Sequence, residues 1–588
     1  MSSPRSLSRS APPARRRRPR WGARGALALA LASLLRGAPA GAQEGAAPDP
    51  AQPCARVGSI EILNNSLFAP REIEERPFNW ALGVVNGVHM RTRSDYLRSE
   101  LLVAEGGCFN EVALAASVRN LRDLDFIARV EADSRLLPDS TIAVRVETWD
   151  EWSTQAGVDF DIENSFQFKG FNVAEKNALG RGLRASFRYR SFRERKDKSF
   201  TLASVRFLGT RAQASVSGGT TRTGSFLRQD LSQPFATEAG ALSFQSRVQY
   251  EDREHPWLTG DRDGVSHLLL PLTDRSAYVL ARRRLGVPGR ITVLGGELDV
   301  LRRTRSGAVR QVAGFDFDGA TPAADSLALR LRPQDAPDSH VRVGASLGVR
   351  RIRFTTATGL DLLSGVQNVA LGSELIVTLG RTLGSWGTSR TDSYARMEGY
   401  ASGAWGPLLA NVSAAGQGRR LDGSAGPAGS RWRDLAVVGQ ALLYAQPPPV
   451  GLQTMVTGVS FNLRRNLKQP YQVALGGEGG VRGYREDDLP TGSTVVLFAE
   501  ERVNLPWFHP AVGLGLTAFA DWGRGWAADV PFGQDTGWRG SIGGGLRFGF
   551  PAGSGTVTRL EVAWPLGPAA AGRGPVIRTY WSPVQTRR

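Results

Sequence analysis

The chain has 588 residues, of which 41% are hydrophobic and 22% charged, a balance that suits an ordered protein and excludes a mostly disordered one. Two cysteines, and five histidines scattered at 89, 255, 267, 340 and 509, exclude a disulfide-dense scaffold and a metal centre built from those residues. The net charge is +18, but residues 1–42 hold nine arginines and no acid, so the remainder carries +9 and the basic balance gives no case for a nucleic-acid partner.

The first segment reads as an export signal. Arg15 to Arg18, Arg20 and Arg24 form a positive start, Gly25 to Leu35 an apolar core, and Ala40-Gly41-Ala42 a small-residue cleavage site before Gln43. Residues 43–54 read as a Pro/Ala leader. No stretch of 18 apolar residues occurs, so no ordinary membrane-spanning helix is expected. An exported chain meets an oxidising compartment, which leaves two readings for Cys54 and Cys108: a disulfide or two free thiols.

Residues 55–148 read as a small α+β unit. Val57 to Leu63 alternates as a strand. Ser94 to Ala104 and Glu111 to Leu124 carry apolar residues at helical spacing, among them Val112, Ala115, Ala116, Val118 and Leu121. Ile127 to Leu136 and Thr141 to Glu147 read as two strands around a Pro138-Asp139 turn. A stretch at about 66–92 stands between the first strand and the first helix as an insertion.

From 149 to 588 the pattern becomes a train of alternating segments of about ten residues separated by Gly, Asp, Arg and Pro turns, as expected for tilted strands that cross a membrane. Allowing about 27 residues per strand with its connections leads to sixteen strands. The fold class expected is therefore an all-β transmembrane barrel of sixteen antiparallel strands behind one small α+β domain. In Val512 to Asp521, Val512, Leu514, Leu516 and Ala518 share the lipid parity, and Gly513, Gly515, Thr517, Phe519 and Asp521 the other. Trp149, Trp152, Trp507, Trp522, Trp564 and Trp581 are candidates for an interfacial girdle.

One loop stands out, Gly476-Gly477-Glu478-Gly479-Gly480-Val481-Arg482-Gly483-Tyr484. Its glycines permit tight, positive-φ backbone around an arginine and an aromatic residue. The next two strands place Glu500, Arg502 and Asn504 on one parity and Asp521 on a non-lipid face, so an inward-folded Arg482 has carboxylates to meet. A planar guanidinium suits that pairing better than an ammonium. Other motifs read as ordinary wall or loop: Gly344-Ala345-Ser346-Leu347-Gly348 lies inside an alternating strand rather than at a nucleophile elbow, and Asp261 to Gly264 and Asp316 to Gly319 lack the later glutamate of a calcium loop. No catalytic residue, metal or cofactor is expected.

The V-R-G-Y loop (Val481, Arg482, Gly483, Tyr484, preceded by Gly479 and Gly480), the F-x-D-x-G strand (Phe519, Asp521, Gly523), Arg559 to Leu566 and Asn177 to Gly182 resemble the BamA/TamA superfamily of outer-membrane assembly and translocation barrels, the bacterial surface antigen type. The 55–148 unit resembles its periplasmic POTRA domain. The resemblance implies a bacterial outer-membrane barrel whose inward loop locks Arg482 onto Asp521, with Glu500 as second acid. It also implies a weakly paired seam between first and last strands that admits client strands, and a POTRA edge that offers β-augmentation. The implied partners are outer-membrane lipids and lipopolysaccharide, unfolded outer-membrane protein clients, and periplasmic or lipoprotein accessories; no nucleic acid is among them. The function expected is assistance in protein insertion or translocation, and the alternative is a transport channel or secretion pore gated by the loop. The chain departs from the family's pattern in having one POTRA-like unit, the 66–92 stretch, and no terminal aromatic residue after Tyr580 and Trp581.

Overall fold

A computed structural model describes residues 54–583 except 68–85, 88, 163–165, 193, 236–239, 263, 335–337, 385–386, 424–430, 450, 478, 506–511 and 551. The export segment, nearly all of the leader, most of the 66–92 insertion and Trp507 lie outside the described residues.

The first unit runs β1 (Val57–Asn65), α1 (Ser94–Glu100), α2 (Glu111–Arg122), β2 (Ile127–Leu136) and β3 (Ile142–Asp150). Its sheet has the order β1-β3-β2, with β1 parallel and β2 antiparallel to β3. Asn110 caps α2 by accepting from the Ala113 amide at 3.1 Å, satisfying an otherwise orphaned donor. Leu114, Ser117 and Leu121 turn one stripe of α2 onto the sheet, where Val57, Leu97, Phe126, Val144 and Val146 complete the core. Val112 is 63% exposed. It sits two residues from Leu114, a rotation of roughly 200° around the helix, so the helical spacing named the wrong member of the stripe. Cys54 and Cys108 are joined as a disulfide.

The rest is a wall of strands: β4 (Thr154–Ile162), β5 (Phe166–Ala178), β6 (Leu183–Ser191), β7 (Lys196–Ser204), β8 (Gln213–Thr221), β9 (Gly224–Gln233), β10 (Leu242–Arg262), β11 (Val265–Val287) and β12 (Arg290–Arg305). Two short strands, β13 (Arg310–Val312) and β14 (Thr321–Pro322), and helix α3 (Asp325–Leu331) follow. The wall resumes with β15 (Asp338–Thr358), β16 (Val366–Thr382), β17 (Asp392–Trp405), β18 (Leu408–Leu421), β19 (Trp432–Ala445) and β20 (Gln453–Arg465). After the two-residue strands β21 (Val473–Ala474) and β22 (Pro490–Thr491) come β23 (Ser493–Asn504), β24 (Gly513–Trp526), β25 (Gly537–Gly549), β26 (Thr556–Leu566) and β27 (Val576–Pro583).

Because β12 pairs directly with β15 and β20 with β23, the four short strands add no member to the wall's strand order, β13 pairing only with the end of β11, and among the described residues the wall has twenty antiparallel strands rather than sixteen. The expectation assumed long loops at one end. Instead, two-residue connections join β8 to β9 and β10 to β11 at one end, and β11 to β12 and β17 to β18 at the other, so each strand uses less chain. The order returns on itself, but among the described residues β27 meets β4 over two residue pairs only, Ile577 with Ile162 and Arg578 with Asp161.

Side chains sort by parity across this wall. On β15, Val343, Leu347 and Val349 are exposed while Arg342, Ser346 and Arg350 are buried; on β24, Leu516 and Trp522 are exposed while Thr517, Phe519 and Asp521 are buried. Aliphatic side chains outside and charged ones inside invert a soluble sheet and match a wall that faces lipid. Trp522 and Trp564 are half exposed, as a girdle residue would be. Trp149 belongs to β3 of the first unit, where the Arg129 guanidinium lies 3.6 Å from its ring.

The α+β unit spans one mouth of the barrel. The Asn177–Gly182 turn is its seat: Asn177 Nδ2 donates to Thr92 Oγ1 at 2.7 Å, the Arg93 amide donates to Gly180 O at 2.9 Å, and a Cβ on Gly180 would stand 2.3 Å from the Arg91 carbonyl oxygen. Across the mouth, Arg184 grips both oxygens of Asp125 at 2.7 Å, Arg122 and Asp123 bond Asn368, and Glu151 accepts from Ser554 Oγ at 2.6 Å. At the far mouth, Trp257, Leu268, Leu270, Leu331, Val530 and Phe532 form an apolar cap.

Leu347→Arg should cost about 2–4 kcal/mol of folding stability in lipid vesicles, the penalty for a guanidinium at the midplane of a barrel's outer face. Urea-driven unfolding with vesicles present measures it, and an unchanged midpoint would show that this face does not meet lipid.

Candidate functional site

The segment between β20 and β23 leaves the far end of the wall and turns back into the lumen. Its backbone is wound tightly: the Val481 amide donates to Leu475 O at 2.9 Å, Tyr484 to Val481 O at 3.0 Å, and Gly477 to Tyr484 O at 3.1 Å. Leu475, Val481 and Tyr484 are almost wholly buried and pack with Val496 of β23.

The glycines serve close approach more than turning. Only Gly477, at φ 93°, has the positive φ expected of this stretch. A Cβ on Gly480 would lie 1.9 Å from Leu475 O, one on Gly483 would lie 2.7 Å from Ser541 Cβ and 2.8 Å from Pro565 N, and one on Gly523 would lie 2.6 Å from Val481 Cγ2. Gly523 of the F-x-D-x-G strand is thus the hollow that receives Val481. Gly479 would meet nothing within 4 Å, so sterics do not require a glycine there.

This seating delivers Arg482 to the inner wall. Its Nε and Nη2 straddle the Asp521 carboxylate at 2.9 and 2.7 Å, and its backbone amide adds a bond to Asp521 Oδ2 at 3.0 Å. Nη1 donates to Glu500 Oε2 at 2.9 Å and reaches Glu561 Oε2 at 3.5 Å. Ser541 Oγ donates to the same Asp521 oxygen, Oδ2, at 3.2 Å. The guanidinium carbon stands 3.4 Å from the centre of the Phe519 ring, a cation–π contact that strengthens as water is excluded. The side chains of Asp521, Glu500 and Glu561 are 2%, 4% and 2% exposed.

Three carboxylates facing one guanidinium need further cations. Arg502 bonds Glu500 at 2.7 Å, and Arg559 bonds Glu561 at 3.2 Å. Arg502 also donates to Leu360 O at 2.7 Å and Asp361 Oδ1 at 3.0 Å. It thereby ties the cluster to the 359–365 turn, which folds into the lumen from the domain end. From β27, Arg578 donates to Arg482 O at 3.3 Å and Tyr484 O at 2.9 Å, so the last strand holds the same loop.

Arg482, Asp521, Glu500, Val481, Gly483, Tyr484, Phe519 and Gly523 thus meet at one place, with Gly480 supporting from behind. Glu561, Ser541 and Arg578 were not among the expected site residues. Glu561 shares the inward parity of Arg559, two residues away, and that signal was enough to place it in the lumen. Cys54 and Cys108 lie in the α+β unit, away from this cluster.

Removing Arg482 would leave three carboxylates buried together. Arg482→Ala should cost about 3–5 kcal/mol, as when one partner of a buried ion pair is deleted, and should open the 466–492 loop to protease in folded protein. Arg482→Lys should recover only part, since one ammonium cannot match the bidentate fit to Asp521 and reach Glu500 as well. A loop equally protected in all three forms would show that the cluster does not hold it.

No family model matches the chain, and no curated protein matches it. Solved structures similar to it include BamA from Haemophilus ducreyi lacking POTRA domains 1–3, at 13% identity over 91% of this chain and 85% of that one with a TM-score of 0.40. CdiB from Escherichia coli is 14% identical over 95% of this chain and 98% of that one, with a TM-score of 0.43. The FrpB iron transporter from Neisseria meningitidis is 12% identical over 76% of this chain and 86% of that one, with a TM-score of 0.36.

Proposed function

We propose that this chain is a bacterial outer-membrane barrel with its α+β unit, a single POTRA-like domain, in the periplasm, and that it assists the insertion or translocation of other proteins. The observation that carries this reading is the contrast between an inner loop held by the ion pairs of Arg482 and a seam of two residue pairs among the described residues, with Arg578 of the seam strand bonded to the loop. Backbone groups on β4 and β27 that lack each other need partners within lipid, and an incoming strand can supply them by β-augmentation. Unfolded outer-membrane proteins are the clients this chemistry fits. Neither nucleotide nor metal enters the scheme; client folding drives it.

The alternative is a transport channel or secretion pore gated by the loop. A lumenal cavity of about 700 Å³ lined by Arg282, Arg350, Glu374, Glu398 and Tyr400 favours it. The apolar cap over the far mouth opposes a permanently open pore.

A cysteine pair at 158 and 581, opposite positions if the seam register is extended, separates the two. Under oxidising conditions the staple should lower the levels of other outer-membrane barrels in cells that depend on this protein, and reduction should restore them. If stapled cells keep normal levels of those barrels, the assembly reading fails; a stapled chain that still passes current in planar bilayers would favour the pore.

A further inference from the structure

On the outer face of β9–β12 and β15, residues directly opposite one another form rows. One row reads Leu227, Tyr250, Arg275, Arg302, Ser339. The next row toward the α+β unit reads Gln229, Val248, Ala277, Val300, Val341, and the next row the other way places Ser225, Asp252, Thr273 and Thr304. The Arg275–Arg302 row therefore lies where the aliphatic band gives way to polar side chains, at the end of the barrel remote from the α+β unit.

Two arginines directly opposite across an antiparallel pair repel one another. Neither has an ion-pair partner within 4 Å among the described residues. The neighbouring Asp252 accepts instead from Thr273 Oγ1 at 3.2 Å, and the one contact made is that of the Arg275 guanidinium with the Tyr250 ring, 5.7 Å from its centre. Arg303 and Arg342, buried on the same strands of this wall, are by contrast matched with acids, Arg303 with Asp274 and Arg342 with Asp299 and Asp392. A like-charged pair without a counter-ion, at the polar edge of the aliphatic band and beside an aromatic ring, is a ready receptor for a phosphate anion, because guanidinium forks match phosphate oxygens.

We propose that Arg275 and Arg302 together bind the phosphate group of an outer-leaflet lipid, with Tyr250 packing on its glycan or glycerol portion. The proposal rests on the membrane reading of the wall and on the periplasmic placement of the α+β unit.

The test uses the full chain in detergent micelles, titrated with diphosphoryl lipid A and, separately, with phosphatidylglycerol, with thermal unfolding and native mass spectrometry as readouts. Wild type should gain stability with at least one of the two lipids. Arg275→Gln/Arg302→Gln should bind that lipid about tenfold or more weakly, the scale expected for losing charge-assisted bonds, while its own unfolding without lipid is unchanged or shifts upward as the repulsion is relieved. Arg351→Gln/Arg353→Gln, exposed residues of β15 nearer the opposite end, should bind as wild type does. Loss with lipid A identifies a saccharide phosphate as the ligand, and loss with phosphatidylglycerol a phospholipid phosphate; either supports the site. Equal binding by wild type and the 275/302 variant, or binding of neither lipid by wild type, overturns it. A wild type that fails to float with vesicles would overturn the membrane reading itself, a separate result from loss of the site in a chain that floats.

Discussion

The structure turns on one guanidinium held away from water by carboxylates from three strands. Arg482 meets Asp521 on β24, Glu500 on β23 and Glu561 on β26. Charges buried this deeply are costly alone and tolerable only when geometry pairs them closely. The arginine reaches the acids because the loop backbone can press against the wall, and it can do so only where side chains are missing, at Gly480, Gly483 and Gly523. Sterics and electrostatics therefore impose one position for a segment that would otherwise be a long surface loop. The acids, in turn, depend on the loop: without the Arg482 side chain, Arg502 and Arg559 would remain bonded to Glu500 and Glu561, and Asp521 would keep the Ser541 hydroxyl and the backbone amide of residue 482 but no cation.

What the sequence discloses follows from period-two geometry. Once a stretch alternates, parity assigns each side chain to lipid or lumen, which was enough to put Asp521 and Glu500 inside; that Arg482 on its loop turns inward to lock onto them was implied by the resemblance of the V-R-G-Y loop to the superfamily's. Parity carries no information on how much chain a connection uses, so the strand number was misjudged where two-residue turns join strands at both ends. It is also silent on height along the axis. Glu561 could be placed inside but not level with Arg482, and Arg578 sits in a terminal strand whose register is set by contacts with the loop rather than by its own pattern. The glycines of the loop were visible, but whether each serves dihedral freedom or clearance depends on what packs against it, and Gly479 serves neither.

The wall is uneven in a way that bears on what it can do. β10 and β11 pair continuously from Leu242 with Arg283 to Leu258 with His267, whereas β4 and β27 share two pairs. In water an unpaired edge is solvated at little cost, but in lipid each bare amide or carbonyl is expensive. On the proposed membrane reading, the thin seam is the place where this barrel gains most from a further strand. The same row-by-row accounting isolates Arg275 and Arg302 on the outer face, two guanidiniums directly opposite one another, for which a membrane lipid is the proposed counter-ion.

Arg578 joins the two halves of this picture. It belongs to the seam strand, yet its guanidinium is spent on the carbonyls of Arg482 and Tyr484. A strand that pairs with its neighbour at two positions but is tied to an ion-paired loop is held in place from inside the lumen more than by the sheet. Loop and seam are then mechanically one unit: displacing the loop withdraws the support of β27, and drawing β27 aside pulls on the backbone that presents Arg482. A gate for solutes would need only the first of these movements, through the lumen. A device that accepts strands needs both together, and the placement of Arg578 on β27, rather than on a strand within the sheet, is what couples them.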